Sequence, residues 1–181
     1  MGYFWSMGIS FMDKETAEIC QAKLRKIVLS DGSIVNLHSY ILLQTSFDIE
    51  PDYVLEIYPE NMEIDGKRDN LNFPFFREIN KQLLQIIKEL KYDFQIAFFE
   101  FEGADKVTNE NIINSINEDG IGQIRHKEVN DIYFDPKNYI PKRYFDGLIL
   151  SNKEYERLNK KHIEFEYFKD GYKWLPIRNS R

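Results

Sequence analysis

Acidic residues at alternate positions are the side chains of this sequence best suited to chemistry. Glu100 and Glu102 are two residues apart in an apolar segment, and Glu56 lies in a second apolar segment. Side chains at positions i and i+2 of a strand point to the same side of a sheet. Two carboxyl groups on one face could act as general acid and base. Because acidic residues occur throughout the chain, we favour a solvated sheet face over a catalytic pair.

The same alternation recurs near the carboxyl terminus, where Glu164 and Glu166 precede Tyr172 and Trp174. Aromatic side chains often anchor protein interfaces. An acidic and aromatic binding surface is therefore predicted, with Glu100, Glu102, Glu164, Glu166, Tyr172 and Trp174 as its members. The alternative, which we favour for the aromatic residues, is that they belong to the core.

A different set of residues would carry catalysis. His126 lies in Arg125-His126-Lys127, the densest basic cluster of the chain. A histidine beside a carboxylate can move protons in the attack on a phosphodiester. The enzymatic alternative therefore assigns Glu56, Glu100 and His126 to a site for a nucleotide or a small metabolite.

The sequence contains no motif for a cofactor or a metal ion. The patterns G-x-x-x-x-G-K-[ST], G-x-G-x-x-G and G-x-S-x-G are absent, so phosphate-loop, dinucleotide and serine-hydrolase chemistry have no support. His38, His126 and His162 are far apart, and none has the i, i+4 spacing of helical metal ligands. We predict no cofactor and no metal site.

Charge and composition restrict the classes of partner. Twenty-four basic and 30 acidic residues give a net charge of −6, which disfavours nucleic acid and favours a basic protein partner. No apolar run approaches the roughly 18 residues that span a bilayer, so no membrane segment is predicted. The single cysteine, Cys20, fits a reducing compartment. We therefore expect a cytoplasmic protein.

Hydrophobic periodicity predicts the elements that position these residues. Period-two alternation indicates strands at about 3–11, 34–44, 53–58 and 94–101, with a turn containing Pro51 at 48–52. Helical periodicity predicts helices from Asp13 to about Val28 and from Pro74 to about Leu90. Alternatively, Asp31-Gly32 forms the corner of a hairpin and ends the first helix earlier. Ser6, Gly8 and Ser10 give the first strand a small face, which permits close approach of another backbone or a ligand.

The order β-α-β-β-α-β predicts an α+β fold of the ferredoxin-like type, in which two helices cover one face of an antiparallel sheet. Residues 1–103 would form this split β-α-β core, and residues 104–181 a C-terminal α/β elaboration of the same domain, 1–181. In the elaboration, Ser151 and Glu154 are predicted to form a capping box. Leu148 to Leu150 are predicted to form a short strand, and residues 163–177 a hairpin. A short helix is expected to follow Thr108, and the elaboration could cover the open sheet face.

The absence of catalytic motifs and the acidic balance favour a non-catalytic cytosolic binding protein. The form we expect is a bacterial immunity or antitoxin-type protein that neutralises a toxin by protein–protein contact. A small enzyme and a self-associating structural subunit are the alternatives.

Overall fold

The computed structural model describes residues 6–46, 49–60, 74–100, 109–119, 147–159 and 165–176. These ranges contain four helices and eight strands. In chain order they are β1 (Ser6–Phe11), α1 (Lys14–Lys23), β2 (Lys26–Val28), β3 (Ile34–Ser46), β4 (Ile49–Pro59), α2 (Pro74–Glu89), β5 (Ile96–Glu100), α3 (Asn109–Asp119), β6 (Ile149–Ser151), α4 (Asn152–Glu156), β7 (Glu166–Lys169) and β8 (Tyr172–Trp174).

The eight strands form one antiparallel sheet in the order β2-β3-β4-β1-β5-β6-β8-β7. The four strands expected in the first hundred residues are β1, β3, β4 and β5. The C-terminal strands continue the same sheet beyond β5. The predicted α+β class with an antiparallel sheet is therefore confirmed.

Helices α1 and α2 pack on one face of this sheet and form the first core. The apolar stripe predicted for α2 supplies Ile79, Leu83 and Ile87 at helical spacing, and all three are buried. The other principal members are Met7, Ile9 and Phe11 of β1, Leu55 and Ile57 of β4, and Ala17, Cys20 and Leu24 from α1 and its end. Burial of each large aliphatic side chain contributes about 1.5–3 kcal/mol.

Helix α3 forms a second core against the opposite face, over β5 and β6. Its members are Ile112, Ile113 and Ile116 of α3, Ile96 and Phe98 of β5, Leu148 and Leu150 around β6, and Leu158 and Leu175. Ala97 and Ile149, which alternate with these strand residues, point into the first core. The C-terminal part thus extends the sheet and also covers the β5–β6 portion of its second face.

The predicted end of α1 is wrong, and the hairpin alternative is correct. The helix ends at Lys23, where the N–H of Leu24 bonds to Cys20 and Gln21 carbonyl oxygens. Lys26–Val28 instead pairs with β3. At the corner, Asp31 Oδ1 accepts from the Ser33 N–H at 2.8 Å, and Gly32 has a φ of 85°. This turn geometry, which suits glycine, outweighs the helical spacing of the preceding apolar residues.

The turn expected around Pro51 is also wrong, because β3 continues to Ser46 and β4 begins at Ile49. The ladder between these strands shifts register between Gln44 and Ser46. Proline lacks the N–H that a regular ladder needs, and it is tolerated in strands at such irregularities. Pro51 therefore lies inside β4.

The Ser151 cap and the terminal hairpin predicted for the C-terminal part are confirmed. The Ser151 Oγ accepts from the Glu154 N–H at 3.3 Å and caps α4. The Ser151 N–H donates to the Gln95 carbonyl oxygen at 2.8 Å rather than to Glu154, so the reciprocal half of the predicted capping box is not formed. Strands β7 and β8 form the expected terminal hairpin, with Gly171 at a φ of 82° in its turn. The cap predicted at Thr108 lies outside the described residues.

Ser10 of β1 bonds to the neighbouring strand of the sheet. Ser10 Oγ accepts from the backbone N–H of Ile96 at 3.1 Å, and Ser6 and Ser10 are both buried. Because β5 is the ladder neighbour of β1, this bond does not test the close approach of another backbone or a ligand to the small face, which stays a prediction.

Candidate binding surface on the open part of the sheet

Three rings meet on the sheet face opposite α1 and α2. Leu37 and Ile41 of β3 pack on the first core, so the alternate residues His38 and Tyr40 point away from it. Tyr58 of β4 lies opposite His38 in the ladder. Its ring centroid is 5.6 Å from that of His38 and 6.0 Å from that of Tyr40, the latter edge to face. We call His38, Tyr40 and Tyr58 the aromatic patch.

A carboxylate and an amide border the aromatic patch. Glu60 Oε2 accepts from Asn36 Nδ2 at 3.0 Å, and Glu60 Oε1 lies 3.3 Å from His38 Nε2. The His38 side chain is 54% exposed and that of Glu60 is 36% exposed, so this partly solvated pair adds at most about 1 kcal/mol to stability. The carboxylate instead gives the edge of the patch a negative potential.

Glu56 lies beside the aromatic patch but is buried. It is opposite Tyr40 on one side and Gly8 on the other, and only 2% of it is exposed. Cross-strand partners share a face, so the Glu56 side chain belongs to the same face as the rings. Burying a carboxyl group costs free energy unless polar contacts satisfy it. Glu56 therefore requires polar contacts on this face of the sheet.

A separate polar cluster joins the start of α3 to the sheet. Asn109 Nδ2 donates to Asp52 Oδ2 at 2.8 Å and to Gln95 Oε1 at 2.5 Å. Asn109 is buried, and burial raises the pKa of Asp52. Amides neither release nor take up protons at ordinary pH, so the cluster provides one titratable carboxyl held by two amides. Its arrangement positions α3 on the second core.

Arg157 links the two C-terminal helices. Its Nη1 donates to Glu154 Oε2 at 2.6 Å, and its Nη2 bonds to Glu110 of α3. Asn117 adds a second link, because its Oδ1 accepts from the Asn159 N–H at 2.8 Å. These contacts fix α4 against α3.

Glu56 and Glu100, which the enzymatic alternative assigns to one site, do not lie side by side. Glu100 is opposite Ser6 on β1, whereas Glu56 is opposite Gly8 on the other side of that strand. Standard strand spacings put their Cα atoms about 12 Å apart. Glu102, His126 and Glu164 lie outside the described residues.

The remaining predicted binding residues occupy the C-terminal hairpin. Glu166 is exposed and lies opposite Trp174, which is partly buried beside Phe168. Tyr172 is only 6% exposed, stacks on Phe94, and uses its hydroxyl in buried hydrogen bonds. These contacts make Tyr172 part of the core, so we do not include it in the proposed binding surface.

Sequence reasoning missed the aromatic patch because it depends on strand register. The signal was His38 and Tyr40 at alternate positions, but only the ladder shows that Tyr58 lies beside them.

Among the described residues, no three His, Cys, Asp or Glu side chains are arranged to hold a metal ion. Nor does any helix in those ranges have the length and apolar character to cross a membrane. Searches against protein-family models, curated proteins and solved structures find no match to this chain.

Proposed function

We propose that this chain is a non-catalytic binding protein that recognises a basic protein partner through the aromatic patch and Glu60. The observation that carries the proposal is the group of three rings, bordered by a carboxylate, on the sheet face opposite α1 and α2. Tyrosine is enriched at the centres of protein interfaces, because it provides a large contact area together with a polar group.

The chemistry of the patch suits lysine or arginine side chains. A cation over a tyrosine ring gains about 0.5–2 kcal/mol, and Glu60 can pair with the same cation. The net charge of −6 would accelerate encounter with a basic partner. The proposed binding surface also includes Glu100, which lies opposite Ser6 of β1 in the ladder. Glu166 would contribute from β7, at the far rim of the sheet.

The proposal includes the expected immunity or antitoxin-type role, in which the basic partner is a toxin. A cytoplasmic location is part of it, and the single thiol, Cys20, supports that location. A ferredoxin-like layout for the first hundred residues is likewise proposed. It is supported by the strand order β3-β4-β1-β5 and by the packing of α1 and α2 in one core.

Copurification from the native host tests the proposal. We expect the wild-type chain to retain a basic protein, and Tyr40→Ala or Tyr58→Ala to weaken binding of that protein at least tenfold, or about 1.4 kcal/mol. Tyr167→Ala, at an exposed tyrosine on β7, is the matched control and should bind as the wild type does. Recovery of the chain alone, or equal binding by all four proteins, would refute the proposal.

A small enzyme is the second candidate, and the buried Glu56 favours it, because a glutamate is seldom fully buried in a sheet without a paired or functional role. This candidate retains Glu56, Glu100 and His126 as the catalytic residues, with a nucleotide or small metabolite as substrate. Glu56→Gln should then abolish turnover while the chain remains folded by circular dichroism. Unchanged turnover in Glu56→Gln would exclude a catalytic role for this residue.

A further inference from the structure

We propose that the outer edge of β3, from residue 40 to residue 44, pairs with the same edge of a second copy of this chain. The pairing would be antiparallel and related by a two-fold axis at Leu42. This inference concerns backbone groups at the rim of the sheet, whereas the proposed function uses side chains on its face, although Tyr40 lies in both regions.

The first observation is the direction of the backbone groups. The Leu37 N–H bonds outward to the Arg25 carbonyl at 2.9 Å, and the Ser39 carbonyl accepts from Gln21 Nε2 at 2.9 Å. Backbone groups alternate between the two sides of a strand. Ile41 and Leu43 therefore also direct their N–H and C=O groups away from β4.

The second observation is that β2 covers only the beginning of this edge. It pairs with Ile34 to Asn36, and the ladder shift between Gln44 and Ser46 limits the other end. Within the described parts of the chain, no backbone group bonds to the outward N–H or C=O of Ile41 or Leu43. The uncovered stretch is about as long as an ordinary strand.

The third observation is that this edge lacks the usual protection. Proteins normally place lysine, proline or an inward-pointing charge on an open edge strand. No Asp, Glu, Lys or Arg occurs between Asp31 and Asp48, and the histidine in this interval, His38, lies outside the paired segment. Leu43 is 56% exposed and lies on the same face as Ile41. An extended apolar edge of this kind is suited to pairing with another strand.

The segment is self-complementary about Leu42, which favours a second copy as the occupant. Two chains of net charge −6 repel each other over most of their surfaces, but this segment places no like charges opposite each other. With the axis at Leu42, Ile41 of each copy faces Leu43 of the other. Both residues have outward backbone groups, so these are hydrogen-bonded pairs, and each buries an exposed leucine.

The mass of the protein in solution, measured by sedimentation over a range of concentrations, tests the pairing. We expect a monomer–dimer equilibrium. Leu43→Lys should weaken the dimer at least tenfold, because each lysine would face the apolar Ile41 of the other copy. Tyr167→Lys is the matched control, since Tyr167 is 65% exposed on β7 at the opposite rim, and it should dimerise normally. A wild-type monomer at every concentration, or equal dimerisation of both variants, would overturn the inference.

A cross-linking experiment tests the register without relying on a destabilising change. In a Cys20→Ala background, Leu42→Cys places two thiols opposite each other in a non-hydrogen-bonded pair, whose Cα separation of about 4.5 Å permits a disulfide. We expect oxidation to produce a covalent dimer of Leu42→Cys but not of Tyr167→Cys. Cross-linking of both or neither contradicts this register, and a strand from a different protein at this edge in the native host contradicts the second copy.

Discussion

The ammonium group of Lys169 donates a hydrogen bond to the carbonyl oxygen of Leu90 at 2.8 Å. Nζ also lies 3.3 Å from the carbonyl oxygen of Ile87, and 4.7 Å from the centre of the Tyr172 ring. Helix ends leave carbonyl oxygens without partners inside the helix, and a positive charge stabilises this end of the helix dipole. A residue of β7 thus completes the end of α2, although the two elements are far apart in sequence.

Replacing Lys169 by methionine, which keeps most of the aliphatic volume, should lower the free energy of unfolding by about 1–3 kcal/mol. The loss arises because two carbonyl oxygens lose a charged donor. Urea denaturation measures the effect, and Lys153→Met, at an exposed lysine of α4, should change stability by less than about 0.5 kcal/mol. Equal effects at the two positions would contradict the stabilising role of Lys169.

Tyr172→Phe should destabilise the chain by about 1–3 kcal/mol, because it leaves the buried Phe94 N–H without its acceptor. That N–H donates to the Tyr172 hydroxyl at 3.0 Å, while the ring contact with Phe94 is retained in the variant. Tyr167→Phe is the control, since its hydroxyl bonds to Asp170 in solvent. Thermal or urea denaturation should show a clear loss for Tyr172→Phe and almost none for Tyr167→Phe.

The pH dependence of stability should reveal Asp52. Burial raises its pKa above the ordinary 3.8, so the folded state holds the proton more tightly than the unfolded state. The resulting stabilisation is complete below pH 3.8 and is lost as the pH rises through the folded pKa. The stability of the wild type minus that of Asp52→Asn should therefore fall as the pH rises from about 3 to about 7.

An exposed aspartate provides a control of opposite sign. Hydrogen bonds from Ser33 lower the pKa of Asp31, so its contribution is present above the ordinary pKa and is lost as the pH falls. The stability of the wild type minus that of Asp31→Asn should therefore rise between the same two pH values. If both differences change in the same direction, the assignment of the Asp52 titration is wrong.

A double-mutant cycle should show coupling between Glu154 and Arg157. Arg157→Met leaves the buried Glu154 carboxylate without its 2.6 Å partner, which we expect to cost about 1–3 kcal/mol because the guanidinium is partly exposed. Glu154→Gln with Arg157→Met should be less destabilised than the sum of the single variants. Additivity within about 0.5 kcal/mol in denaturation experiments would mean that the pair is not coupled.

Local patterns in the sequence were sufficient where one interaction type dominated. The stripe of α2 and the Ser151 cap were predicted, because burial and capping act over a few neighbouring residues. The end of α1 was not, since the apolar residue Ile27 fits helical spacing but is buried from β2 instead. There the turn at Gly32 and pairing with β3 decided the structure. This pairing joins residues such as Lys26 and Asn36, which lie further apart in the sequence than the bonded residues of a helix.

The candidate surface was harder to predict than the fold. Glu56 was identified as a potential site residue, and its placement beside Tyr40 required the register of β3 against β4. Tyr172 and Trp174 of β8 pack on the first core, which agrees with the core alternative that the sequence favoured for the aromatic residues. Composition gives the number of aromatic side chains, while sheet order decides which of them meet solvent.

The pairing of β5 with β6 has a consequence for the order of events during synthesis. Ala97 pairs with Ile149 of β6, so the outer rim of β5 gains its partner only after most of the chain has left the ribosome. Until then a partly made chain presents the unpaired rim of an apolar strand, which can pair wrongly. Completion of the fold therefore depends on the last third of the chain.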